Sequence, residues 1–240
     1  MRSTLFSEAN VEIQTTERFV AQSSKMLKVT LGNDVLALKG AMVAYQGHVQ
    51  FEHEGSGSVG RLIRKLVSSD DAPLMRVSGQ GEVFFASRAQ EVFLVTLEGD
   101  GLSVNGQNLL AFDANIEWDI HRVQGAGALA GGAFNTVLQG HGQVGLVSDG
   151  TPMLLDCAQQ PTYVDIDAAV AWSANLTPQI VHSMSFRSLL RGGSGEAAQF
   201  AFHGQGFVIV QPSEGAVVPP HSHSGGGGSG DGVLNDLFKG

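Results

Sequence analysis

The sequence is poor in cysteine, tyrosine, tryptophan and charge: one Cys, two Tyr, two Trp and 15% charged residues among 240. A lone cysteine, Cys157, closes no intrachain disulfide, so nothing points to an oxidising compartment. No run approaches the roughly 18–20 apolar residues that a membrane-spanning helix needs. The opening Met1-Arg-Ser-Thr-Leu-Phe-Ser-Glu lacks the apolar centre of a secretory signal, and Glu8, Glu12 and Glu17 come too early for a transit peptide. The expected location is therefore the cytoplasm. Basic residues are also few, 14 Lys and Arg against 23 Asp and Glu, for a net charge of −9. That balance excludes the broad basic face with which a protein displaces counterions from phosphate, so no nucleic-acid partner is expected.

What the chain does have is 42% hydrophobic residues and 32 glycines, enough apolar material for a large core. Most of it reads at period two. Phe93-Leu-Val-Thr-Leu, Gln199-Phe-Ala-Phe-His and Phe207-Val-Ile-Val are short β-rich runs bounded by Gly, Asn, Asp or Pro. Long helical periodicity is absent. The reading is all-β.

A Gly-x-Gly pair opens an apolar strand three times: Ser78-Gly-Gln-Gly-Glu-Val-Phe-Phe, Gln139-Gly-His-Gly-Gln-Val-Gly-Leu and His203-Gly-Gln-Gly-Phe-Val-Ile-Val. The first glycines, Gly79, Gly140 and Gly204, lie 61 and 64 residues apart. These pairs, completed by Gly81, Gly142 and Gly206, predict bends where positive φ or close backbone approach excludes a Cβ. A second pattern recurs as Gly40-Ala-Met-Val-Ala-Tyr45, Asp113-Ala-Asn-Ile-Glu-Trp118 and Asp167-Ala-Ala-Val-Ala-Trp172. A large ring at one place in each unit is expected to plug the core, making Tyr45, Trp118 and Trp172 equivalent core aromatics. Together these patterns predict three pseudo-symmetric β repeats around one core. Residues 1–218 would form this single domain. Residues 219–232 are a Pro/Gly/Ser-rich linker, and 233–240 form a short apolar tail.

Each motif that could carry chemistry also has a structural reading. Gly55-Ser-Gly-Ser-Val-Gly60 matches a dinucleotide fingerprint, but the helical stretch after it is barely two turns long. Glycine segments at Gly125 and Gly192 hold matching places in the other repeats, which assigns the feature to the scaffold. His221-Ser-His223 has a metal-ligand spacing but lies in the tail with no glutamate downstream. His48 and Glu52 share a strand face about 13 Å apart, too far for one ion. Cys157 has no basic neighbour in sequence, and no nucleophile elbow occurs. Asp113 and Asp167 read as turn residues. No catalytic, cofactor or metal residue is assigned, and the chain is expected not to be an enzyme.

Two basic segments, Arg61-Leu-Ile-Arg-Lys65 and Phe186-Arg-Ser-Leu-Leu-Arg191, read as short helical insertions. Their Arg61, Arg64, Lys65, Arg187 and Arg191 are candidates for surface contact, including with anionic lipid.

The ordered set of Arg18-Phe-Val-Ala-Gln-Ser-Ser-Lys-Met-Leu-Lys-Val, the aromatic strands and the Gly-x-Gly strands resembles the bacterial branch of the altered-inheritance-of-mitochondria family, over about residues 10–215. The resemblance implies a fold like that of the tryptophan RNA-binding attenuator, a double-stranded β-helix or β-sandwich-like prism. It implies no established enzyme activity and associates the fungal relatives with organisation of the mitochondrial inner membrane. It does not imply RNA binding, because likeness of fold does not transfer function. The leading expectation is a non-enzymatic β scaffold acting through protein–protein contact or self-association. The alternatives are a small-molecule or metal-binding β-helix and a peripheral membrane-surface protein.

Overall fold

A chain that alternates apolar and polar residues and breaks at Gly, Asn and Asp satisfies its backbone N–H and C=O groups by pairing strands. A computed structural model of the chain describes residues 1–7, 10–53, 74–122, 134–181 and 199–213. These are all-β apart from one 3-10 turn at Thr4–Phe6. The two segments expected as helical insertions, and the linker and tail from residue 219 onward, lie outside the described residues. Among the described residues no helix is long and apolar enough to cross a membrane.

The first strands are β1 (Phe19–Ser23), β2 (Met26–Leu31), β3 (Val35–Leu38), β4 (Met42–His53) and β5 (Leu74–Phe85). There follow β6 (Glu91–Asn105), β7 (Leu109–Asp113), β8 (Glu117–Arg122) and β9 (Phe134–Ser148). The last are β10 (Met153–Asp156), β11 (Thr162–Asp165), β12 (Ala169–Ser173), β13 (Gln179–Val181), β14 (Gln199–Phe202) and β15 (Phe207–Val210). All pairs are antiparallel, in one 12-stranded and one 3-stranded sheet.

Long strands act as spines. β5 pairs with β4 along one edge, while β2 and β3 share the other. β9 likewise pairs with β6 along one edge, with β7 and β8 sharing the other. β14 and β15, joined through His203-Gly-Gln-Gly206, divide the same work. β14 takes β11 and β13, and β15 takes β10 and β12. Two seams then stitch the spines together: β3 pairs with β7, and β6 pairs with β12. Strands β7 and β12 therefore have a neighbour on both edges, and all five residues of each are buried.

The core falls into three apolar clusters. One gathers Leu27, Val29, Val77 and Phe85; the second Leu36, Phe112, Leu138 and Val144; the third Trp172, Phe200, Phe202 and Val208. Trp172 meets both phenylalanines of its cluster at ring separations of 5.6 and 5.5 Å.

Each spine carries a Gly-x-Gly pair where the chain passes from one set of partners to the next. Gly79 and Gly81 have φ of 111° and 144°, Gly140 and Gly142 have 122° and 156°, and Gly204 and Gly206 have 115° and 144°. A Cβ on Gly79 or Gly81 would overlap the carbonyl oxygen of His48 or Gln46. On Gly206 it would lie 2.9 Å from the Ser173 side chain, and on Gly142 3.0 Å from Ile116.

The aromatic position requires a correction. Measured by register, Tyr45 lies opposite Val83, Phe112 opposite Val144 and Trp172 opposite Val208. Each of those valines stands two residues after the second glycine of its pair. Trp118 is six residues further on, opposite Leu138, and its counterpart is Phe51 opposite Val77. The ring pairs Tyr45–Phe51 and Phe112–Trp118 match accordingly. Nor is Tyr45 in the core: it is 48% exposed, whereas Phe112 and Trp172 are 0% and 2% exposed. The physical reason is the missing neighbour. Among the described residues β4 pairs with β5 alone.

Substituting Gly81 by Ala is expected to destabilise the fold by more than about 2 kcal/mol, combining a strained φ with backbone overlap. Gly140→Ala, at φ 122° with nothing within 4 Å of the added Cβ, should cost about 1 kcal/mol from φ alone. Chemical denaturation of both variants checks the order.

Candidate functional site

Among the described residues the most deeply buried charge is Lys28, in the middle of β2, with a side chain 1% exposed. Its ammonium meets Glu12 Oε1 at 2.5 Å and Glu82 Oε1 at 2.8 Å, and donates to the carbonyl of Ile13 at 2.9 Å. Burial pushes this amine down, but the hydrogen bonds to Glu12 and Glu82 outweigh it and hold Lys28 above its ordinary value. Glu12 is held below its ordinary value chiefly by its bond to Lys28. Gln46 Nε2 donates to the second Glu12 oxygen at 3.2 Å. The Gln22 side chain accepts from Ile13 N and donates to the carbonyl of Val11. Residues 11–13 are thus fastened across β1, β2 and β4. Fully paired on every side, Lys28 fits a latch for this segment rather than a proton-transfer group.

Asp113 is also buried. It pairs with Arg18, and its Oδ2 accepts from Gln143 N at 2.8 Å. Its counterpart by register is Ser173, whose hydroxyl accepts from Phe207 N at 3.1 Å. The equivalence of Asp113 and Asp167 expected from the repeated pattern is therefore corrected. Asp167 sits in the turn before β12, its carboxyl pushed up by partial desolvation and the charge of Asp165. Asn115 and Asn175 extend the real correspondence, donating to the carbonyls of His141 and Gln205 inside the Gly-x-Gly bends.

An open cleft of about 600 Å³ lies where β6 meets β12, lined by Asp100, Gly101, Val137, Gln139, Ser173, Ala174, Asn175 and Phe207. Its Asp100, Ser173 and Asn175 are already engaged by backbone groups of the neighbouring turns. Cys157 is buried at 2% exposure, with its backbone N–H donating to the carbonyl of Gly206. Among the described residues no group of three His, Cys, Asp or Glu could hold a metal ion. His48 and Glu52 lie exposed on β4.

Several sequence candidates lie outside the described residues: Arg61, Arg64, Lys65, Arg187, Arg191, the Gly55–Gly60 segment, and His221 with His223. The six bend glycines and Trp172 are in described strands and bends, where they shape the scaffold.

Sequence reasoning missed a different set. The exposed large apolar side chains on strands are Val43 and Tyr45 of β4, Met153 and Leu154 of β10, and Tyr163 of β11. Among the described residues β4 and β10 each pair on one side only, and β11 pairs only with β14. Nothing local distinguishes these residues from buried ones. What exposes them is the pairing of strands far away in the chain.

The Lys28 cluster fixes a pH response. A lowered Glu12 contributes stability above the ordinary carboxylate value of 4.5 and loses it as pH falls through its folded value. A raised Lys28 contributes below 10.5 and loses it as pH rises through its folded value. Residues 11–13 are expected to stay protected from proteolysis between these limits and to be released first in acid. Lys28→Met, which leaves two carboxylates facing one another, should cost about 1–3 kcal/mol and free the same segment at neutral pH. Limited proteolysis with denaturant titration measures both.

Comparison with known proteins agrees with this architecture. The chain is similar to the crystal structure of a Streptococcus pyogenes protein, with a TM-score of 0.66 at 21% identity, covering 81% of this chain and 92% of that one. At that identity the likeness shows the fold alone. No curated protein matches the chain. The family profile described as Mitochondrial biogenesis AIM24 matches residues 18–213, from the arginine that pairs with Asp113 to the end of the last described strand region. The chain therefore belongs to the Mitochondrial biogenesis AIM24 family.

Proposed function

We propose that the protein is a non-enzymatic, cytoplasmic β scaffold that works through protein–protein contact or self-association. The observation that carries this reading is the placement of its exposed apolar side chains. Val43, Tyr45, Met153, Leu154 and Tyr163 lie on strands that, among the described residues, have an unpaired edge, where backbone donors and acceptors stand beside apolar surface. Such edges are templates for adding a strand from another chain. Asp100, Ser173 and Asn175 of the cleft, by contrast, are engaged by backbone groups of turns, and the buried ions hold the fold together. The attenuator-like arrangement of three units is supported by the shared register of Tyr45, Phe112 and Trp172 against their valines.

Charge placed on these edges should weaken association while leaving the fold intact. Leu154→Lys and Tyr45→Lys are expected to keep the wild-type melting temperature within a few degrees and to lower recovery of crosslinked complexes at least several-fold. Crosslinking of the full chain followed by mass measurement tests this. A chain that stays at 25.2 kDa at every concentration and retains no partner lost by the variants would overturn the reading.

A further inference from the structure

Two seams inside the chain show what a third would look like. In the first, β3 and β7 pair as Val35↔Asp113, Leu36↔Phe112 and Ala37↔Ala111. In the second, β6 and β12 pair as Leu102↔Ser173, Ser103↔Trp172 and Val104↔Ala171. Both register with the glycine bends in the same way. Val35, Leu102 and Thr162 each face the residue two before the first bend glycine: Val77, Leu138 and Phe202. Tyr163 therefore holds the place of Leu36 and Ser103. On the other side, Tyr45 holds the place of Phe112 and Trp172.

The third pairing is not made within the chain. Among the described residues β4 pairs only with β5, and β11 only with β14. Burial records the difference. Leu36 and Phe112 are each 0% exposed, and Ser103 and Trp172 are 5% and 2%. Tyr45 and Tyr163 are 48% and 56% exposed. They are also the only two tyrosines in the protein. Neither β4 nor β11 contains Lys, Arg or Pro, residues that commonly guard a solvent-facing edge against pairing.

We propose that β4 of one copy pairs antiparallel with β11 of a second copy in the register Gln46↔Thr162, Tyr45↔Tyr163 and Ala44↔Val164. This names the partner and surface of the scaffold reading and rests on it. The two edges belong to different strands, so the contact is heterologous and leaves one edge of each kind free at the ends of a pair. Successive copies then close into a ring or extend as a filament. The Gln46 side chain, already bonded to Glu12 on the sheet face, leaves the strand edge itself open.

Cysteine pairs test the register in the full-length chain. Tyr45→Cys and Tyr163→Cys are made separately, mixed at equal concentration and oxidised. Directly opposed positions have Cβ atoms about 4.5–5.5 Å apart, within reach of a disulfide after small adjustment. A reducible two-chain product at least five-fold more abundant in the mixture than in either variant alone, and absent from the wild type, is the expected result. The wild type should show native masses at multiples of 25.2 kDa, and Tyr45→Lys and Tyr163→Lys should each bring the mass down to 25.2 kDa. Absence of the mixed product from folded variants would overturn the proposal. So would a double variant, Tyr45→Cys with Tyr163→Cys, whose disulfide closes within one chain. A chain that is monomeric, yet holds another protein that Tyr45→Lys releases, rejects self-pairing and leaves the scaffold reading standing. A monomer holding nothing rejects both.

Discussion

The structure depends on a backbone crossing that has no room for a side chain. At Gly79 and Gly81 the spine strand β5 lies against the carbonyls of His48 and Gln46, and a Cβ at either place would overlap them. The bends at Gly140–Gly142 and Gly204–Gly206 adopt the same positive φ. Because the chain turns there, one spine serves two sets of partners, one before the bend and one after. That arrangement gives β7 and β12 neighbours on both edges and buries rings such as Phe112 and Trp172. It also fixes where a neighbour is lacking. The seam that β4 and β11 would form is left unmade, so the feature that builds the core determines which edges reach solvent.

The buried ions follow the same logic on a smaller scale. Lys28 is sealed under the 11–13 segment by Glu12 and Glu82, and Arg18 is tied to Asp113 across the first seam. Each sets a buried charge, Lys28 or Asp113, directly against an opposite charge that keeps some access to water. Charge in this protein is sparse, at 15% of residues, and its buried members are paired. The exposed large apolar side chains on strands, Val43, Tyr45, Met153, Leu154 and Tyr163, favour recognition by strand addition.

Much of the fold was legible in the sequence because its governing constraint is local. A residue held at positive φ is written as glycine wherever the bend occurs, so Gly79, Gly140 and Gly204 announce themselves. The aromatic position was legible at Tyr45 and Trp172 and was misread in between. Asp113-Ala-Asn-Ile-Glu-Trp118 satisfies the pattern, whereas the segment that holds the register, Gln107-Asn-Leu-Leu-Ala-Phe112, lacks the leading Gly or Asp. Turn chemistry outweighed register in that reading. The latch and the open seam were not legible. Lys28 is buried by Glu12 and by Glu82, 54 positions later, and Tyr45 is exposed because, among the described residues, no strand lies beyond β4. Both facts belong to long-range pairing, which no window of sequence contains.

Hydrogen–deuterium exchange across concentration tests the central claim, that one of three like seams is left for a second copy. The account predicts that β7 and β12 are protected at every concentration. Residues 43–46 and 162–164 should exchange faster when dilute and gain protection as the protein is concentrated. Protection of residues 43–46 and 162–164 in dilute monomer, equal to that of β7 and β12, would contradict it.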